Sequence, residues 1–305
     1  MDGFHELALA ELHLHLEGSV TPDTIRELAP ALLPEEVRQR YHFCDFVGFI
    51  ECFKWVTGHL QTPENYAFVT RRLLENLECQ NVQYAEITLS AGVVIWKGQD
   101  LNSIYDAVHR EARRSRVSVR WNLDAIRHFG PQHAMKVAEL AAERVHDGVI
   151  SFGIGGDEQR GPAEWFTEVF QFAHSSGLRL TAHAGETAGP ESIWGALRLG
   201  AERIGHGIRA VEDPVLMRHL RDQNIPLEVC ISSNVSTGAV NSLADHPVRR
   251  LYEAGVPIIL NTDDPGIFNT TLRREYELAA EAFGFSDREL REIAENGFKY
   301  AFTAG

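Results

Sequence analysis

Apolar positions along this chain follow two alternating rhythms. Short runs rich in Val, Ile, Leu and Thr recur at Glu11–Leu16, Val82–Leu89, Val117–Ala125, Ile150–Gly155, Arg179–His183, Arg203–His206, Pro226–Ile231 and Pro257–Thr262. Several are near-continuous apolar stretches, the pattern of parallel strands covered on both faces. Between them lie stretches with helical spacing, such as Asp106–Arg114, Gln132–Asp147, Ala163–Ser175 and Pro190–Leu199. Eight strand–helix alternations predict an α/β fold of the (β/α)8 or TIM-barrel type. A doubly wound sheet fits less well, because no Gly-rich phosphate turn follows the first strand.

One interval breaks the alternation. From Gly18 to Asn81 the pattern reads as helices at Pro22–Leu28, Pro34–Arg40, Cys44–Thr57 and Pro63–Glu78. Phe43, Phe46, Phe49, Phe53 and Trp55 make this segment aromatic. Such an insertion either packs against the barrel or covers its mouth, since long strand-to-helix connections sit on the active-site face. The sequence leaves both open. There is no internal repeat, low-complexity tract or linker. A single barrel domain over residues 1–305 is therefore expected, with a helical insertion at about 19–80.

Composition narrows the function. The chain has 305 residues, 44% hydrophobic and 24% charged, as in ordinary globular proteins. A net charge of −14 argues against a nucleic-acid groove or an anionic membrane surface and suits a small-molecule substrate. No apolar run reaches the roughly 18 residues of a membrane span. The acidic start Met1-Asp2-Gly3-Phe4-His5-Glu6 lacks the basic and apolar regions of a signal peptide, so a cytoplasmic protein is expected. Cys44, Cys52, Cys79 and Cys230 show neither CxxC pairing nor zinc-ribbon spacing and read as free thiols.

The chemistry collects at the predicted strand ends. In Leu12-His13-Leu14-His15-Leu16-Glu17-Gly18, alternation along a strand would send His13 and His15 to one face and the leucines to the other. Two imidazoles aimed at one point are half of a metal site. His183 ends the fifth predicted strand, His206 the sixth between two glycines, and Asp263 with Asp264 the eighth. Catalytic groups of such barrels come from the C-terminal strand ends. Three imidazoles and one carboxylate (His13, His15, His183, Asp263) suit Zn²⁺ with a position left open for water. Glu186 lies close enough to His183 to carry a proton, and His206 to orient or deprotonate the water. Each residue alone has an ordinary structural explanation: a core histidine, a turn, a first-turn helix carboxylate. His42, His59, His109 and His128 receive no role.

Taken in order, several segments resemble the adenosine deaminase family of the amidohydrolase superfamily. They are His13-Leu14-His15-Leu16-Glu17-Gly18, Gly156-Asp157-Glu158, His183-Ala184-Gly185-Glu186-Thr187, Arg203-Ile204-Gly205-His206-Gly207, Ser233-Asn234 with Thr237-Gly238-Ala239, and Asn261-Thr262-Asp263-Asp264-Pro265. The resemblance implies one Zn²⁺ on His13, His15, His183 and Asp263. It implies hydrolytic attack at C6 of a 6-aminopurine nucleoside, with Asp263 counted among the catalytic groups. Glu186 would protonate N1, and His206 would orient the attacking water and stabilise the oxyanion. Asp264 would bond N7, the Gly156 N–H would meet N3, and Glu17 would lie near the 5′ end of the sugar. Superfamily members with two metals carry a Lys at the end of strand four. Here Gly153-Ile154-Gly155-Gly156-Asp157-Glu158 has none, which favours one metal.

Glu17 is a departure. Nucleoside members of the family usually carry Asp there, and Glu is one methylene longer. His-Leu-Glu-Gly-Ser resembles the subgroup acting on 6-amino-6-deoxyfutalosine, an adenosine analogue with a benzoate on its sugar, in menaquinone biosynthesis. Adenosine follows closely; adenine deaminases more often read Ile-Glu-Gly-Thr at this place. The competing classes are a nucleoside-binding barrel without catalysis, whose mark would be a damaged ligand or acid, and a two-metal ester or amide hydrolase. No Lys/Arg cluster near the motifs offers a phosphate site.

Overall fold

The structure is a computed structural model and describes residues 7–302. The N-terminal residues Met1–Glu6, read above for a targeting signal, lie outside the described residues. Eight strands form the barrel: β1 (Leu9–His15), β2 (Val82–Leu89), β3 (Ser118–Ile126), β4 (Val149–Gly155), β5 (Arg179–Ala184), β6 (Arg203–His206), β7 (Leu227–Val229) and β8 (Ile258–Leu260). They pair in sequence order and all in parallel. The ring closes just beyond β8. The Asp263 N–H donates to the His13 carbonyl at 2.9 Å, and the His15 N–H donates to the Asp263 carbonyl at 2.8 Å. Every residue of β4 is buried, as expected of a strand with helices outside it and side chains packed within.

Two details depart from the expected pattern. β7 and β8 are only three residues long. The chain turns into the helix Ile231–Ser236 directly after Cys230. After β8, Asn261 replaces a ladder partner with its side chain. Its Oδ1 accepts from the N–H groups of both Leu12 (2.8 Å) and His13 (3.1 Å). That double acceptance coincides with a bulge in β1, where Glu11 pairs with Ala85 but Leu14 already pairs with Ile87. An extra residue in one strand breaks strict alternation. Leu12 consequently lines the same small interior cavity as His13, Thr88, Arg203 and Glu228. Leu14 and Leu16 belong instead to the main core, so the prediction for the leucines holds for these two and fails for Leu12.

The insertion consists of α1 (Pro22–Leu28), α2 (Pro34–Arg40), α3 (Phe46–Gly58) and α4 (Pro63–Cys79). Proline opens α1, α2 and α4, where its missing N–H costs nothing. α3 starts two residues later than predicted because Asp45 caps it, accepting from the Gly48 N–H at 2.7 Å. The aromatic segment packs against the barrel and reaches the cavity at its mouth. Phe49 packs on Phe268 with ring centroids 5.1 Å apart, while Phe46, Phe49 and Phe53 also line the cavity at the barrel mouth. Beyond β2 follows α5 (Ala91–Trp96). Further along, the predicted Asp106–Arg114 helix is Leu101–Ala112, capped by Asp100, and Ala163–Ser175 begins as a 3-10 turn before its α-helix at Thr167. Among the described residues no helix is long and apolar enough to cross a membrane.

Candidate active site

The C-terminal ends of β1, β5 and β8 bring His13, His15, His183 and Asp263 together, with one ligand atom from each within 4.8 Å of the others. His15 Nε2 lies 3.2 Å from His183 Nε2, and Asp263 Oδ1 lies 3.3 Å from His13 Nε2 and 3.4 Å from His15 Nε2. The far nitrogens of His13 and His183 are occupied. His13 Nδ1 meets Glu228 Oε2 at 2.8 Å, and His183 Nδ1 meets the Ile154 carbonyl at 3.2 Å. Metal-ligating histidines are oriented in this way. His13 Nε2, by contrast, is buried with no hydrogen-bond partner. An orphaned imidazole nitrogen converging with two others and a carboxylate fits a metal ion of zinc type. Burial holds His15 down at about 4 and His183 well below the usual range, whereas His13, against its own burial, is raised well above it by Asp263 and Glu228.

Backbone geometry supports this convergence. Asp263 and His206 both adopt the left-handed region, with φ of 65° and 60°. Non-glycine residues there concentrate at functional sites. Gly205 leaves room for His13, since a Cβ would lie 2.7 Å from its Cε1. Ser233 donates to Asp263 Oδ2 at 2.7 Å and fixes the carboxylate.

Glu186 and His206 face the same space. His206 Nε2 is 3.7 Å from Glu186 Oε2 and 3.9 Å from Asp263 Oδ2. Burial, reinforced by the charges of Asp263 and Glu158, pushes the Glu186 carboxyl well above the carboxylate range, which favours its protonated form. Burial lowers His206 to about 4 and keeps it neutral. The Glu186 loop is wrapped around Glu158, whose carboxylate accepts from the N–H groups of Gly185 (2.7 Å), Glu186 (2.9 Å) and Thr187 (2.8 Å) and from Ser192 Oγ (2.5 Å). Beneath the metal-type cluster, Arg203 pairs with Glu86 and with Glu228, the carboxylate that holds His13.

A cavity of about 440 Å³ opens above these groups. Its floor contains His15, His183, Glu186, His206, Asp263, Asp264 and Gly156. Asp264 is buried, its Oδ1 has no partner, and burial beside Asp263 pushes its pKa up. Gly156 sits at φ 87°. Glu17 lies elsewhere. It is buried behind the cavity wall, where its carboxylate accepts from the Ser90 N–H at 3.1 and 3.3 Å, at the start of α5. Its link to the cavity runs through Ser90 and Lys97, which do line it.

Several members of the site escaped sequence reasoning. His128, given no role, lines the cavity, as does Asp124 on β3. Asp124 Oδ1 is buried without a partner, and burial pushes the carboxyl up to about 8. Glu228 interrupts an otherwise apolar strand, a signal that a buried partner was waiting. Asn234 stood in the matching Ser233-Asn234 segment but was given no role, while Arg127, whose Nη2 donates to the His183 carbonyl, and His246 carried no comparable mark.

A family model described as adenosine deaminase matches residues 8–304. The chain belongs to the adenosine deaminase family. It is 37% identical to an aminodeoxyfutalosine deaminase from Streptomyces coelicolor, over 97% of this chain and 80% of the relative. It is 38% identical to an adenine deaminase from Rhizobium leguminosarum bv. trifolii, over 97% of this chain and 95% of the relative. Among solved structures, an amidohydrolase from Burkholderia ambifaria with bound Zn superposes with a TM-score of 0.91 at 26% identity, covering 99% of this chain and 87% of that one. Membership of the family makes the protein an aminohydrolase on a TIM barrel.

Proposed function

We propose that the protein hydrolytically deaminates a 6-aminopurine nucleoside, with 6-amino-6-deoxyfutalosine the preferred substrate and adenosine next. Water adds at C6, the amino group leaves as ammonia, and the 6-oxopurine remains. One Zn²⁺ held by His13, His15, His183 and Asp263 would supply Lewis acidity, lowering the pKa of a coordinated water toward about 7.

The chain's own groups divide the remaining work. The protonated Glu186 carboxyl is suited to donate to N1, which makes C6 a better electrophile. His206, neutral and 3.7 Å from Glu186, is suited to donate from Nε2 to the oxygen that develops charge at C6. Asp263 takes part in the water's deprotonation while Ser233 holds its other oxygen. Asp264, its pKa pushed up by burial beside Asp263 and its Oδ1 unpartnered, would donate to N7, an acceptor. The Gly156 N–H would meet N3. Glu17 would set the sugar's surroundings indirectly, through Ser90 and Lys97.

The observation that carries the substrate preference is the second wall of the cavity. Phe46, Phe53, Trp96 and Phe129 line it together with Lys54 and Lys97. An aromatic carboxylate on the sugar would use the rings and share the ammonium groups, which already hold Glu51 and the Thr57 carbonyl, whereas a free purine base would use neither. Adenine is the second reading, supported by the equally similar adenine deaminase relative. The test follows loss of the aminopurine absorbance in zinc-loaded protein offered 6-amino-6-deoxyfutalosine, adenosine and adenine separately. The highest kcat/KM is expected for the first. A highest value for adenine would transfer the assignment to the second reading, and turnover of none would overturn both.

A further inference from the structure

His206 has a second face, turned away from the cavity, and a continuous chain of buried hydrogen bonds leads from it to the backbone. His206 Nδ1 lies 3.0 Å from Asn234 Nδ2, Asn234 Oδ1 lies 3.1 Å from His246 Nε2, and the Val248 N–H donates to His246 Nδ1 at 3.2 Å. His206, Asn234 and His246 are all essentially removed from solvent. The His246 ring also packs edge-on against Phe283, with centroids 5.9 Å apart.

The directions of these bonds are set one after another. A backbone N–H can only donate, so His246 Nδ1 must accept. Neutral imidazole carries one proton, which therefore sits on His246 Nε2 and is donated to Asn234 Oδ1. The Asn234 amide then points its NH2 at His206, whose Nδ1 must accept. The remaining proton of neutral His206 lies on Nε2, the nitrogen that lines the cavity near Glu186 and Asp263. The opposite tautomer would set an N–H against the Asn234 NH2. Turning the amide over only moves that clash to His246, and inverting His246 moves it to the Val248 N–H, which cannot invert. Pro247 precedes that amide and has no N–H of its own, so the chain has a single fixed origin.

We infer that Asn234 and His246 are positioning residues that lock His206 in the Nε2–H tautomer and so present an N–H donor to the catalytic cavity. Their effect on turnover rests on the deaminase reading. The tautomer is readable without any substrate, so failure of the one is separable from failure of the other. Removing the His246 donor leaves Asn234 Oδ1 buried and unpaired and frees the amide to turn its oxygen toward His206. Groups that orient a catalytic or ligating imidazole typically change activity by about 10–100-fold when removed.

The experiment is nitrogen NMR of ¹⁵N-histidine-labelled, zinc-loaded protein, combined with steady-state kinetics. In the wild type, His206 is expected to show a proton-bearing Nε2 and a lone-pair Nδ1. Asn234→Asp replaces the donor by an acceptor of the same shape and should place a proton on Nδ1. His246→Leu should lower kcat about 10–100-fold with zinc content and KM little changed. His246→Gln, whose amide can accept from Val248 and donate to Asn234, should restore most of the loss. A proton on Nδ1 in the wild type would overturn the inference. So would an unchanged kcat in a folded His246→Leu protein, or a His246→Gln protein as impaired as His246→Leu while still folded and zinc-loaded.

Discussion

Gly18 and Asp264 meet where the loop after β1 passes the end of β8, and that contact gives a sharp test of the site's construction. A Cβ built on Gly18 would lie 2.5 Å from the Asp264 Cβ and closer still to its Cγ and Oδ1, where ordinary contact is 3.4–4 Å. The Gly18 backbone cannot simply retreat, because its carbonyl accepts from the N–H groups of Gly266 (2.9 Å) and Ile267 (3.1 Å). In Gly18→Ala a turn of Asp264 can clear its Cγ and Oδ1 but not its Cβ, so the backbone must also shift inside a close-packed interior. Overpacking of this kind costs about 1–3 kcal/mol of stability. If Asp264 donates to N7 as proposed, its displacement would also cost that bond, at about 1–3 kcal/mol. That corresponds to a roughly 5- to 150-fold loss in kcat/KM. Urea unfolding and initial rates, measured at equal zinc content, read the two effects separately. In an Asp264→Ala background the obstructing Cγ and Oδ1 are gone, so Gly18→Ala should cost less there, with a coupling of about 0.5–3 kcal/mol. A Gly18→Ala protein within about 0.5 kcal/mol of wild-type stability and with unchanged kcat/KM would refute the reasoning, since that is the range of an ordinary surface substitution.

Glu186→Gln should keep its metal but lose about 10²–10⁴-fold in kcat, because the amide cannot deliver the carboxyl proton; metal analysis and rates check both halves. Glu158→Ala strips the acceptor from the N–H groups of Gly185, Glu186 and Thr187, and should lower both stability and kcat as the Glu186 loop loses its anchor. Asp124 holds its proton up to about 8 in the folded protein against 3.8 ordinarily. Its contribution to stability is therefore complete below the lower value and is lost as pH rises toward the higher one. Asp124→Asn should flatten that decline in urea titrations across the window, and an unchanged slope would refute the assignment. Chelation should abolish turnover and lower the thermal midpoint, with Zn²⁺ restoring both and Mg²⁺ neither, given three nitrogen donors.

Much of this protein is written in short-range patterns. Parallel strands buried on both faces need continuous apolar runs, and the eight runs from Glu11 to Thr262 announce the barrel before any contact is known. The histidines and acids at their ends follow, since a parallel barrel gathers all C-terminal strand ends on one face. That is why His13, His15, His183 and Asp263 could be grouped across most of the chain. The tertiary structure decided what depends on a partner rather than on a period. Leu12 turns inward because Asn261, 249 positions away, takes its amide and that of His13 and breaks the alternation. Glu17 sits behind the wall because α5 arrives with the Ser90 N–H to satisfy it. The Glu228–Arg203–Glu86 network under His13 and the Asn234–His246 path behind His206 join residues with no shared spacing. Periodicity can say which way a side chain faces; only the folded chain says which buried donor meets which acceptor.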